Sequence, residues 1–346
     1  MRQLLLVTAF LLSGSARAQG LGLGAASTPV TDWPVADPAE MGLDTTALAD
    51  HAALCEASAA VACLVAYKGH IVQEWAQPEY AYGPHIGLAS ATKSVSALLV
   101  GMLIADGHIG SLDDEVRMYL PEWTAGADSS VTLRHLLTMT SGLDPLRPFD
   151  SVLAAPDANT FVVGLDLPRS PGTRWAYSND GVQLLSPILE RAGGMPPAAY
   201  ARERLLTPIG AHWAKFDVDE YGNTLLFGGM MSTLRDFARI GQLVLNRGTW
   251  NGRQLVPANW IDAINTPTPQ NPGYGLLWWL DAESDAMAAV GDGDRVLTVL
   301  PEHDLVAVRL QRIATIPGTA SATYFNDRGR MHADAWQILK RVVPSK

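Results

Sequence analysis

The stretch "LASATKSVSALLVGML", Leu88 to Leu103, constrains this chain more than any other. Its spacing is helical: Val95, Leu98, Leu99 and Met102 make a core side, while Ala97 and Gly101 let a neighbour approach closely. A helix of this composition must be largely buried, so the fold has to wrap other elements around it. Yet a lysine sits at its mouth. Lys93 is either a side chain snorkelling to solvent or a group whose charge is put to work.

The flanking sequence indicates what does the wrapping. "DTTALADHAALCEASA" has helical spacing with Asp44 as N-cap, and "VACLVAYKGHIVQEW" reads as two strands in a hairpin around Lys68-Gly69-His70. Near the other end, "AMAAVG", "RVLTVLP" and "DLVAVRLQR" are three more strand-like runs, and "MHADAWQILKRVV" is a closing amphipathic helix. The expected class is α/β (α+β): an antiparallel sheet built from both chain ends, residues 39–115 and 269–346, with a mostly helical region, 116–268, inserted between them. The Ser90 helix belongs where the two regions meet, a usual place for a substrate cleft.

At 346 residues and 48% hydrophobic, the chain can bury a large core. Its net charge of −10 argues against nucleic acid, whose phosphates call for a basic surface. No phosphate loop, nucleotide fingerprint or metal cluster stands out, so no cofactor is expected. Arg2, the apolar run Leu4 to Leu12 and Ala16-Arg17-Ala18 form a secretory signal over residues 1–18, cleaved after Ala18 and followed by an extended leader, 19–38. That run is too short to span a bilayer, so the mature protein is expected to be exported, periplasmic or secreted, without a membrane span. Export permits a disulfide between Cys55 and Cys63, though two buried free thiols fit the sequence equally well.

Ser90 and Lys93 lie one helical turn apart on one face, so the amine can reach the hydroxyl. Burial disfavours a charged ammonium, and a lysine partly neutral near neutral pH can take the serine proton and make a nucleophile. The N–H groups at the helix start favour negative charge developing at the same spot. A phenol could relay the proton. Tyr-x-Asn occurs at Tyr177-Ser178-Asn179, Tyr221-Gly222-Asn223 and Tyr324-Phe325-Asn326. The first follows a Pro-Gly turn and precedes an apolar helix ending at Gly193-Gly194, which holds Tyr177 and Asn179 on a constrained loop. His135, in an apolar helix, reads as a packed histidine, and Asp113 and Asp114 as turn braces. Trp278 and Trp279, adjacent on a strand, point to opposite faces, so one can line the cleft.

"SATKSVSALLVGMLIADGHIGSLDDEV", "VTLRHLLTMTSGLD", "WAYSND", "YARERLLTPIGA" and "GGMMSTLRDFARIGQLVLNRGTWNGRQLVP" together resemble the serine β-lactamase superfamily, in particular its class C-related branch of esterases, D-aminopeptidases and 6-aminohexanoate-dimer hydrolases. The resemblance spans about residues 40 to 340, with the blocks in the family order. It implies Ser90 as acylated nucleophile, Lys93 as its base or base partner, Tyr177 as proton relay to the leaving group, and Asn179 as a residue that positions substrate or Lys93. The substrate would be a small molecule or peptide-like ester or amide. β-Lactamase or D,D-peptidase activity on cell-wall substrates, and a catalytically inactive binding protein of the same fold, are the alternatives.

The chain departs from such relatives at "AAVGDGDRVLTVLP". There the family carries Lys-Thr-Gly or His-x-Gly, whose glycine permits close approach and whose following N–H completes an oxyanion hole. Two registers are open. In the favoured one Gly291 is that glycine, Ala289 takes the first motif position and the Asp292 N–H is the donor. In the other, Asp292-Gly293-Asp294 is the motif. Neither offers a cation for a β-lactam carboxylate, and Asp292 and Asp294 would repel one unless Arg295 compensates. Neutral or cationic substrates are expected.

Overall fold

The apolar runs at the two ends of the chain pair with one another. In the computed structural model, which describes residues 33–57, 60–77, 80, 85–124, 130–143, 151–281, 285–311 and 337–344, they form a six-stranded antiparallel sheet. Helix α1 (Thr45–Ala57) precedes strands β1 (Ala60–Tyr67) and β2 (His70–Ala76); β3 (Ile86–Gly87) then leads to helix α2 (Thr92–Ala105). The short strands β4 (Lys215–Phe216), β5 (Met230–Ser232), β6 (Thr249–Trp250) and β7 (Arg253–Gln254) follow. The chain closes the sheet with β8 (Trp279–Leu280), β9 (Met287–Gly291), β10 (Arg295–Leu300) and β11 (Leu305–Gln311). The sheet order is β2-β1-β11-β10-β9-β8, with Leu64 opposite Val308 and Tyr67 opposite Leu305.

Every residue of β1 is buried, because both faces of the sheet are covered. Leu64, Ala66, Val306 and Val308 face the core that contains α2, whereas Val65, Tyr67 and Ala307 pack with Ala47 and Leu48 of α1. Asp44 caps α1, its Oδ1 accepting from the N–H groups of Thr46 at 2.8 Å and Ala47 at 3.1 Å. Cys55 of α1 and Cys63 of β1 are joined in a disulfide, which resolves the two alternatives left open by the sequence. The turn between β1 and β2 is made by Lys68 and Gly69, both at positive φ. In the described part of the leader, residues 33–38, Trp33 to Ala36 run along β2: Val35 bridges Ile71, and Trp33 Nε1 donates to the Gly69 carbonyl at 2.7 Å.

Between the two halves of the sheet the chain is dominated by short helices, including Asn179–Gln183 and Leu185–Gly193. The longest of these after α2, Leu234–Leu245, lies against the sheet itself, where a Cβ on Gly241 would crowd Leu297 and Val306. Residues 1–32, with the expected signal, Tyr324, and residues 331–336 of the closing run lie outside the described residues. Residues 337–342 of that run are helical, and Leu339 and Val342 join the α1 side of the core. Among the described residues no helix is long and apolar enough to cross a membrane.

Candidate active site

α2 is surrounded, as its composition requires. Residues Thr92 through Leu103 are all buried. A Cβ on Gly101 would overlap the Trp260 indole, whose Nε1 donates to the Ala97 carbonyl at 3.0 Å. The helix's own serines are spent on passing loops: Ser94 Oγ donates to the Leu277 carbonyl at 2.7 Å and Ser96 Oγ to the Leu226 carbonyl at 2.9 Å.

Ser90 stands just before this helix, half-buried in a tight turn of Ala89–Ala91. Ala89 sits at φ 48°, a left-handed conformation unusual for a residue with a Cβ. Three contacts hold the turn in place. Leu88 N–H donates to the Met230 carbonyl at 2.7 Å, Met230 N–H donates to Thr92 Oγ1 at 3.0 Å, and β9 closes over the top. A Cβ on Gly291 would overlap the Leu88 carbonyl and lie 3.2 Å from the Ala91 nitrogen, so only glycine fits there. Of the two registers, it is thus Gly291 that lies against the Ser90 turn, with buried Ala289 two residues before it and exposed Asp292 after it.

Lys93 is 1% exposed. Its Nζ donates to Ser90 Oγ at 2.9 Å and to the Phe227 carbonyl at 2.5 Å. The same Nζ lies 5.0 Å from the centre of the Tyr177 ring, which brings Ser90, Lys93 and Tyr177 together. Tyr177 is held in turn by neighbours on both sides. Ala176 N–H donates to the Met139 carbonyl at 2.8 Å, and Ser178 Oγ caps the next helix by accepting from Gly181 N–H at 3.0 Å. Asn179 is the first residue of that helix.

Aromatic rings line the approach. Trp279 stacks on Tyr177 with centroids 6.3 Å apart, and Tyr274 meets Trp279 edge-on at 5.0 Å. Burial pushes the Tyr274 phenol well above its usual range, with Tyr177 adding to the effect, so Tyr274 stays protonated. The two tryptophans part as expected: Trp278 is fully buried, its Nε1 donating to the Ser94 carbonyl at 3.1 Å, while Trp279 is half-buried over Tyr177. Tyr221, 69% exposed in its loop, is not part of this group. His135 caps a helix, its Nδ1 accepting from Thr132 N–H at 3.1 Å. Asp114 braces a turn, accepting from Gly110 N–H at 2.8 Å and the Tyr119 hydroxyl at 2.6 Å.

The acids of the β9–β10 turn separate. Asp294, expected beside the substrate, is buried and pairs with Arg309 at 3.4 Å on the α1 side of the sheet. Arg295 Nη1 donates to the Asp292 backbone carbonyl at 2.8 Å and its Nε to the Gln311 carbonyl at 3.2 Å, bracing the turn. Two participants had no signature in the sequence. The Phe227 carbonyl is a backbone atom, and the strain at Ala89 falls on a residue type that does not announce it. Among the described residues no group of three His, Cys, Asp or Glu side chains is placed to hold a metal ion.

The Beta-lactamase family model matches residues 56–328. Among curated proteins, the 6-aminohexanoate-dimer hydrolase of Paenarthrobacter ureafaciens is 25% identical over 289 residues, covering 72% of this chain and 71% of the relative. The Beta-lactamase-like protein 2 of Dictyostelium discoideum is 31% identical over 220 residues; this covers 58% of the chain but only 37% of that longer relative. The solved structure of EstCE1, a hydrolase with promiscuous acyltransferase activity, superposes with a TM-score of 0.65 at 17% identity, covering 84% of this chain and 98% of that one. The last likeness is one of fold.

Proposed function

Because the chain belongs to the Beta-lactamase family, we propose that this hydrolase of the β-lactamase fold cleaves esters or amides through an acyl-enzyme on Ser90. The observation that carries the reading is the buried Lys93, whose Nζ lies 2.9 Å from Ser90 Oγ. Ser90 Oγ attacks the substrate carbonyl carbon while its proton passes to the Lys93–Tyr177 pair. Charge that develops on the carbonyl oxygen is received by the N–H groups of Ser90 and Asp292, a role supported by the close fit of Gly291 against the Ser90 turn. Tyr177 returns the proton to the leaving alcohol or amine, and Asn179 orients the substrate or Lys93. Water then attacks the acyl carbon, takes the same route in reverse and frees Ser90.

Substrate charge follows from the third motif. Ala289 occupies the position of the cation that would dock a β-lactam carboxylate, and the exposed acid nearby is Asp292. Neutral or cationic esters and amides are favoured over penicillins and cephalosporins, in keeping with relatives named 6-aminohexanoate-dimer hydrolase and esterase EstB. The same reading has the chain exported after loss of residues 1–18, into a compartment where the Cys55–Cys63 disulfide persists.

A fluorophosphonate probe with adduct mapping tests the nucleophile: label on Ser90 is expected, and undiminished labelling of Ser90→Ala would refute it. In a hydrolase panel, p-nitrophenyl esters should be turned over far more efficiently than nitrocefin. Comparable efficiency on the two would sink the substrate assignment, and no labelling or turnover at all would leave the inactive binding protein.

A further inference from the structure

The geometry points to Gln183 as a positioning residue that sets the carbonyl against which Lys93 is held. This inference rests on the reading of Lys93 as the partner of Ser90. Gln183 is 0% exposed, at the end of the helix that Asn179 begins. A primary amide in such a place is costly unless both of its ends are bonded, and here they are. Its Nε2 donates to Asn159 Oδ1 at 2.9 Å and to the Thr224 carbonyl at 3.0 Å, and its Oε1 accepts from Leu226 N–H at 3.1 Å. Two of the three bonds therefore grip the backbone just before Phe227.

Phe227 supplies the carbonyl that accepts from Lys93 Nζ. The residue before it is held on both sides, because Leu226 gives its N–H to Gln183 and its carbonyl accepts from Ser96 Oγ at 2.9 Å. Ser96 lies one turn beyond Lys93 on α2, so helix and loop are pinned to each other at two successive residues. After Phe227 come Gly228 and Gly229, the residues with the greatest backbone freedom. Gly228 and Gly229 fold back, their N–H groups donating to the Leu225 carbonyl at 3.5 and 2.8 Å, so the direction of the Phe227 carbonyl is set relative to the segment Thr224–Leu226 that Gln183 and Ser96 anchor. A methionine or leucine at position 183 would fill the core equally well. It would leave the Thr224 carbonyl and the Leu226 N–H bonded only to each other, at 3.1 Å, and the Phe227 carbonyl could turn away from the amine. Gln183 also ties the helix of Tyr177-Ser178-Asn179 to the acceptor of Lys93, so two parts of the proton path move as one body.

The test uses the full chain and steady-state hydrolysis of p-nitrophenyl acetate, well below the melting temperature of each variant. Gln183→Met should lower kcat by about tenfold or more with KM within about twofold, the pattern of lost positioning rather than lost binding. Ser96→Ala should lower kcat less, and the double variant should lose less than the product of the two, since both act on one residue, Leu226. An unchanged kcat in folded Gln183→Met, a rise in KM alone, or fully multiplicative losses would overturn the inference. Should Gln183→Met not fold, Asn159→Ala and Ser96→Ala carry the test, with unchanged kcat in both counting against it. Lys93→Ala is run beside them. Activity retained there defeats the underlying reading, whereas activity lost there and kept in Gln183→Met defeats only this inference.

Discussion

The two faces of the sheet bury polar groups in different ways. On the α1 face, His51 Nδ1 pairs with Gln73 Oε1 at 2.8 Å, Cys55 bonds Cys63, and Asp294 pairs with Arg309. Gln73 Nε2 donates to the Leu48 carbonyl at 2.7 Å, so its Oε1 must accept and His51 Nδ1 must carry the proton. Each of these groups meets its complement inside the fold. On the α2 face Lys93 meets a carbonyl on one side and, on the other, the half-exposed hydroxyl of Ser90, backed by a strained residue and a tyrosine. Burial of a titratable group therefore says little by itself. What separates scaffold from site is whether the chain of bonds closes internally or ends on an atom that a substrate can reach.

The largest expected effect is on the α2 face. Tyr177→Phe keeps the ring and its stacking with Trp279 but removes the proton, and kcat should fall about a hundredfold. Tyr221→Phe, at an exposed site, should leave kcat unchanged; the reverse outcome would erase the contrast. On the α1 face, Cys55→Ser with Cys63→Ser should lower stability by about 2–3 kcal/mol, for a link between residues 8 apart, while kcat stays within about twofold. Denaturant unfolding and steady-state rates measured together would expose any mixing of the two roles.

A smaller effect concerns His51. Burial, with Arg309 nearby, lowers its pKa below the ordinary 6.5 despite the bond to Gln73. The fold holds the neutral ring, so the unfolded chain binds the extra proton as pH drops. Stability from this residue is complete above about pH 6.5 and is lost as pH falls below it. Melting temperatures at about pH 7.5 and about pH 5.5 should diverge in the parent and less so in His51→Gln. The smallest effect returns to the α2 face. Ala89→Gly relieves a left-handed φ at a net gain below about 1 kcal/mol, and a loss of stability there would mean that the turn is not strained.

Much of this arrangement was legible because it rests on side-chain pattern. β1 reads as an unbroken apolar run since it is buried on both faces, and Ser90 and Lys93 read as a pair since a helix fixes their spacing. The sequence leaves Gly291 as one of two registers, and its fit against the carbonyl of Leu88, a backbone atom, has no sequence signature. Asp294 looked like a substrate-facing acid because its partner, Arg309, comes from the neighbour but one in the sheet order after β9. The aromatic wall joins residues from segments about a hundred positions apart, Trp175 and Tyr177 with Tyr274 and Trp279, which no local pattern links. By sequence Leu234–Leu245 belongs to the helical insert, since periodicity gives the apolar face of a helix but not the surface on which it lies.

The pairing of β1 with β11 also sets an order of events in time. Ala62 finds Leu310 only after about 250 further residues have been made, and the glycine that seats the Ser90 turn arrives on β9, about two hundred residues after the serine. Closing so long a loop is slow, because its entropy is surrendered before the contacts form. A nascent or C-terminally truncated chain would hold the serine and the lysine in sequence yet lack the strand that shapes their surroundings. On the proposed role of Ser90, its reactivity would be a late property of folding, and regain of phosphonate labelling during refolding would serve as a clock for closure of the sheet.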